Sequence, residues 1–231
     1  MTTYDLYVES GPMKRKTMVH VPAIAGCTAR GDTTDAALEA TPDAIHAFLR
    51  FLARHGERIS PTAPFRTRVA EHQTQGTFLG NGAIFIAPDL EPLADRDARL
   101  ALTRLAALHA ELRRVTRGLT AKQLAATPKA GRPIVAILAH IVGAEGGYLR
   151  QVSGASRLHR EVEQALIDPH DALDRLHELE SARLDAMSSR ERSEMVMRGQ
   201  SRWTARCALR RMLEHAWEHY VEIAARTGTT P

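Results

Sequence analysis

Two histidines, His215 and His219, stand four residues apart in Arg210-Arg211-Met212-Leu213-Glu214-His215-Ala216-Trp217-Glu218-His219-Tyr220. On a helix that spacing puts both imidazoles on one face, one turn apart. Two such rings can share a cation at the roughly 2.0–2.1 Å metal–nitrogen distance. A third histidine, His140, lies in the apolar run Pro133-Ile134-Val135-Ala136-Ile137-Leu138-Ala139-His140-Ile141-Val142, where an unpartnered imidazole is disfavoured. Three histidines leave a coordination position open, the pattern of catalytic rather than structural zinc. An ion held there would lower the pKa of bound water to roughly 7, or keep a thiol as thiolate. The same spacing also fits a solvated helix face, with Glu214, Glu218 and Glu222 as an acidic stripe and Arg210 paired to Glu214 at i+4. His140 would then be a core histidine bonded to a carbonyl.

Such a site wants an acid or base and a charge for its substrate. Glu145, five residues past His140, falls on a neighbouring face of the same helix and is the candidate acid or base. Arg211, one turn before His215, is placed to hold an anionic substrate, or else is a surface arginine. Glu214 and Glu218 lie about a quarter turn off the histidine stripe, where they orient imidazoles or face solvent. Cys207 reads as packing, and Trp203, Trp217 and Tyr148 read as core before pocket. Gly143, Gly146 and Gly147 cost about 1 kcal/mol each against alanine; they permit close helix approach, open a pocket above His140, or end the helix early.

The elements that would position these residues follow from periodicity. Four long helical patterns, about 95–117, 133–152, 169–187 and 202–226, are separated by Gly, Pro or Ser clusters, as in a bundle. Before them, Tyr4–Glu9, Thr17–Val21 and Ala23–Ala29 alternate as strands of an antiparallel meander, the third broken by Gly26. A helix starts among Asp32, Thr33 and Thr34 and stops at Gly56. Thr41-Pro42-Asp43 inside it predicts a kink or a second helix start. Ile45, Phe48, Leu49 and Leu52 form its apolar stripe. Thr77–Leu79 and Ala83–Ala87 flank Gly80-Asn81-Gly82 as a hairpin. The expected fold is an α+β module over residues 1–94, an antiparallel sheet plus helix, followed by an all-α four-helix bundle over 95–231. Each should have its own core, with an exposed linker near Pro88–Arg99.

Composition narrows the function classes. Hydrophobic content of 44% and charged content of 25% are ordinary for globular domains. Lys+Arg 31 against Asp+Glu 27 is too balanced for a dedicated nucleic-acid binder, and Lys14–Lys16 reads as a solvated hairpin tip. No apolar run approaches the ~18 residues of a membrane span, and the first residues lack the pattern of a signal peptide. Cys27 and Cys207 fall in different expected modules, which points to a reducing cytoplasm rather than a disulfide framework.

Two stretches carry family resemblances. Tyr4-Asp5-Leu6-Tyr7-Val8-Glu9, with Val21-Pro22 followed by Gly26-Cys27, Gly31, Thr33 and Ala37, resembles the HicB-like antitoxin fold. That resemblance implies a small partial ribonuclease-H-like sheet with one main helix, used to bind a protein partner. The chain departs from it in carrying Pro42 within the helix and in showing no separate DNA-binding tail, so nucleic acid is not an expected ligand. Ile137-Leu138-Ala139-His140 with Leu213-Glu214-His215-Ala216-Trp217-Glu218-His219-Tyr220 is similar to the DinB superfamily of metal-binding four-helix bundles. There, one histidine of the second helix and a pair from the fourth bind a divalent metal, zinc or nickel; His140, His215 and His219 fill those positions. The implied function is a metal-dependent thiol transferase or hydrolase acting on a small thiol or anionic small molecule, with a homodimer as an expected assembly. The alternative is a non-catalytic interaction or regulatory protein that binds a partner through the HicB-like module.

Overall fold

The computed structural model describes residues 1–11, 15–74, 84–129, 131–153 and 169–231. The chain opens with β1 (Thr2–Ser10), β2 (Arg15–His20), β3 (Thr28–Thr33), α1 (Thr34–Arg54) and β4 (Phe65–Gln73). The strands form one sheet in the order β3-β2-β1-β4. β1 pairs antiparallel with β2, and β2 with β3, as expected. β4 pairs parallel with β1, so the sheet is mixed, which corrects the purely antiparallel expectation. Arg66 to Glu71 showed too little apolar alternation to read as a strand. In the fold most of β4 is exposed, and it is held by its ladder to β1 rather than by burial. The expected hairpin around Asn81 lies outside the described residues; Ile84–Ile86, just after it, are buried without forming a strand.

The residues that carried the first resemblance each have a structural task. Pro22 opens a 3-10 turn, Pro22–Ile24, so the third strand begins only at Thr28. Gly26 has φ +109°, and a Cβ there would lie 2.7 Å from Phe48 Cζ. A Cβ on Gly31 would lie 2.4 Å from the Ala37 nitrogen. Thr33 caps α1, its hydroxyl oxygen accepting from the Ala36 N–H. Pro42 neither splits α1 into two helices nor ends it: one helix runs from Thr34 to Arg54 with Pro42 inside it. Buried Ala37 before it and Ile45, Phe48, Leu49 and Leu52 after it belong to one core. That packing outweighs the missing N–H.

The second half contains α2 (Asp95–Thr116), the short α3 (Ala121–Ala125), α4 (Ile134–Ser153), α5 (Pro169–Asp185), the short α6 (Ser189–Ser193), a two-stranded ribbon of β5 (Val196–Arg198) and β6 (Ser201–Trp203), and α7 (Ala205–Thr227). The four long helices match the sequence pattern. α2 and α4 each pack against both α5 and α7. Trp203 belongs to β6 rather than to the last helix, because extended Thr204 caps α7 by accepting the Cys207 N–H. Among the described residues no helix is long and apolar enough to cross a membrane.

The two halves do not have separate cores. One cluster joins Leu6, Val8, Phe48 and Phe51 of the first half to Leu105, Ile137, Leu213 and Trp217 of the second. A buried polar network crosses the same boundary. His20 of β2 lies 3.0 Å from Glu214 of α7 through Nδ1 and 3.5 Å from Glu9 of β1 through Nε2. Arg210 donates to Glu214 and, in two bonds of 2.7 and 2.8 Å, to Asp89. Nor is the expected linker loose. Asp89 is buried, Thr204 donates to its carbonyl, and the Leu93 N–H reaches the Arg192 carbonyl.

Candidate metal centre

α7 has no Gly or Pro between its Thr204 cap and the left-handed Gly228 that ends it. One uninterrupted helix therefore carries His215 and His219 on one face, ring centroids 4.6 Å apart. α4 packs against α7 and brings His140 to them, its ring 4.8 Å from that of His215 and 5.2 Å from that of His219. His140 Nε2 and His215 Nε2 face each other at 3.0 Å. One donor nitrogen from each histidine lies within 4.8 Å of the other two. Among the described residues this is the group of three whose donors converge tightly enough to hold a metal ion.

Electrostatics favour neutral, lone-pair-bearing rings. Burial, then the neighbouring His219 and Arg211, push the His215 imidazole down to about 2. Burial and Arg132 bring His140 down to about 4. Burial also lowers His219, partly offset by Glu222. A proton is thus a weaker competitor for these nitrogens than the ordinary imidazole value near 6.5 implies.

The surroundings differ from the sequence reading. The triad ring bonded to a carboxylate is His219, whose Nδ1–H donates to Glu222 at 2.9 Å; the sequence places Glu222 only in a solvated stripe, although its i+3 spacing from His219 is the available signal. Glu214 is buried, not solvated. Burial raises its carboxyl, but Arg210, His20 and Arg211 hold it well below the usual range. Glu218 pairs with Arg30 of β3. Glu145 does not turn to the triad: its carboxylate lies 2.9 Å from His109 Nε2 on α2. Arg211 is fully buried rather than a surface arginine. It pairs with Glu214 and lies 6.0 Å from the Tyr148 ring centroid, and that ring is 6.0 Å from His215. The part played by His20 had no sequence signal, since its partner is 194 residues away. Trp203 and Cys207 pack with Phe85 in a small second cluster, while Trp217 is core. A cavity of about 400 Å³ opens elsewhere, between Tyr7, Ala23, Leu93, Leu100 and Leu209; no triad residue lines it.

A family model described as HicB-like antitoxin of bacterial toxin-antitoxin system matches residues 4–122, just over half of the chain. The match runs from β1 through α2 into α3 and ends before His140. No curated protein and no solved structure matches the chain.

Proposed function

Because the chain belongs to the HicB-like antitoxin family of bacterial toxin-antitoxin systems, we propose that it is a metal-binding member in which His140, His215 and His219 hold one divalent ion, zinc or nickel. The observation that carries this reading is the approach of His140 Nε2 to His215 Nε2 at 3.0 Å, with the third donor within 4.8 Å. Two nitrogens aimed at each other are held either by a neutral N–H of one ring donating to the other or by a shared cation. Burial keeps both rings neutral, so their lone pairs are open to a cation. We read residues 95–231 as a DinB-like four-helix bundle and residues 1–94 as a second module that shares its core.

The bound ion would leave room for water or a thiol and would lower the pKa of either. Around it, the residues sort by what they touch. Glu222 orients His219, and carboxylates in that position sharpen metal affinity. Tyr148 and Arg211 flank His215 on the other side, where a buried guanidinium favours an anionic group. We assign the chemistry to a thiol transferase or hydrolase of small thiols or anionic small molecules. Glu145 has no part in proton transfer at the triad in this reading, because it is committed to His109.

A second reading, favoured by the family match, is a non-catalytic interaction protein whose N-terminal module binds a protein partner. The two share one test of the metal. Wild type and His215→Ala are dialysed against trace zinc or nickel, and bound metal is counted. The proposal expects loss of one equivalent in the variant with helicity retained. Equal metal in both proteins refutes it. Turnover of thiol or ester probes by metal-loaded wild type, absent in His215→Ala, then separates enzyme from interaction module.

A further inference from the structure

A second set of donors lies in the interior where α2, α4 and α5 meet. His109 of α2, Glu145 of α4 and Glu180 of α5 are all fully buried. His177 sits one turn before Glu180, its ring centroid 6.1 Å from that of His109. His109 Nε2 is 2.9 Å from Glu145 Oε2, and the Glu180 carboxyl is an electrostatic neighbour of both without a hydrogen bond to Glu145. Among the described residues, five buried atoms of this group find no hydrogen-bond partner: His109 Nδ1, His177 Nδ1, Glu145 Oε1 and both oxygens of Glu180. The neighbouring cation, Arg113, is paired instead to Asp174.

Two buried carboxyls whose basic neighbour, the His109 imidazole, is itself kept neutral by burial must be neutralised by protons or by a cation. Burial pushes Glu145 up to about 8, and burial together with the Glu145 carboxylate pushes Glu180 well above its ordinary value. Protons remove the charge but supply at most two donors, to His109 Nε2 and between the carboxyls, and leave the remaining lone pairs unmet. A divalent ion removes both charges and accepts those lone pairs. Imidazoles and carboxylates from facing helices, with His177 and Glu180 at i, i+3, are the means by which helical bundles build metal sites. Mixed nitrogen and oxygen donors suit divalent first-row ions.

We propose that His109, Glu145 and Glu180, with His177, form a second divalent-cation site, independent of the three-histidine cluster. The triad donors already converge within 4.8 Å, whereas these do not, so binding requires the Glu180 and His177 side chains to move toward His109 and Glu145. Glu145 follows His140 by five residues, about 7.5 Å along the helix axis and turned to another face, so the two sites can fill separately.

The experiment counts metal on the full chain after chelation, saturation with zinc and desalting. Wild type should hold two equivalents, Glu180→Gln one and His215→Ala one. At pH 7 the second equivalent should release protons into weak buffer, because carboxyls kept protonated by burial must ionise to bind, whereas the neutral triad imidazoles release none. Glu180→Gln should abolish that release. Glu145→Gln repeats the test if Glu180→Gln does not fold. A single equivalent in wild type, unchanged by Glu180→Gln and bound without proton release, overturns the proposal and leaves a protonated carboxyl pair. One equivalent lost in Glu180→Gln but kept in His215→Ala supports this site and refutes the triad.

Discussion

Trp217 of the metal-bearing helix α7 packs edge-on against Phe48 of α1, ring centroids 4.9 Å apart, and touches Phe51 at 5.3 Å. That contact joins the N-terminal sheet module to the helices. With Gly26 wedged between Phe48 and Leu213, it makes the sheet module of the HicB-like family match and the candidate metal centre parts of one core.

Truncating this contact should therefore be felt across the chain. Trp217→Ala removes a fully packed indole, a change that typically costs about 3–5 kcal/mol. Denaturant unfolding of wild type, followed by fluorescence and by helical circular dichroism, should give one coincident transition, and the variant should shift both probes together. Two separable transitions would show that the halves unfold independently.

The stretch between Pro88 and Arg99 should resist limited proteolysis. Asp89 is held by Arg210 and by the Ile86 N–H, Leu93 is buried, and α2 has begun by Asp95. Cleavage needs an extended, solvated backbone. Mass spectrometry of early digests should find the first cuts elsewhere. A rapid cut here that yields two folded fragments would restore the separate-domain picture.

The local features of this fold were legible because they are local. The Thr33 cap, the stripe of Ile45, Phe48, Leu49 and Leu52, the four helical spans and the His215–His219 spacing all rest on neighbours a few residues away. The long-range features were not. β4 lacks burial on either face, so its parallel pairing with β1 leaves no periodicity in Arg66–Glu71. Arg211 and Glu214 read as surface charges because the partners that bury them, His20 and Tyr148, come from distant elements. Glu145 was assigned to the nearest histidine in sequence, whereas the packing of α2 against the bundle interior gave it His109.

Stability of the metal-free chain should fall as pH rises from about 7 to about 9, above the range in which His140, His215 and His219, all lowered in the fold, add stability with rising pH. Burial keeps Glu145 protonated up to about 8, so the native state binds more protons than the unfolded chain above the ordinary carboxyl value. His20 acts in the same direction. Burial opposes its charge, but Glu214 and Glu9 outweigh that and raise it above 6.5. Its contribution is complete below the unfolded value and is lost as pH climbs through the folded one. Glu214, held low, adds a loss only on the acid side, below its unfolded value of 4.5. Urea midpoints across this range should decline with pH, and Glu145→Gln should flatten the decline. A midpoint that rises steadily to pH 9 would contradict both assignments.

Glu222 should tune the triad without building it. It accepts from His219 Nδ1 at 2.9 Å and also pairs with Arg226 on the next turn. The hydrogen bond fixes which nitrogen of His219 carries the proton and leaves the other to face His140 and His215. A carboxylate in that position also makes the ring a better donor, and losing such a partner commonly weakens metal binding 10- to 100-fold, on the order of 1.4–2.8 kcal/mol. Glu222→Gln keeps an acceptor oxygen but removes the charge, so the helix should remain intact while zinc affinity, measured by competition with a chromogenic chelator, falls by about that factor. Glu218→Gln is the matched control: Glu218 is committed to Arg30 of β3 and should leave zinc affinity within about twofold of wild type. Equal weakening by the two substitutions would mean that general negative charge, not orientation of His219, governs the site.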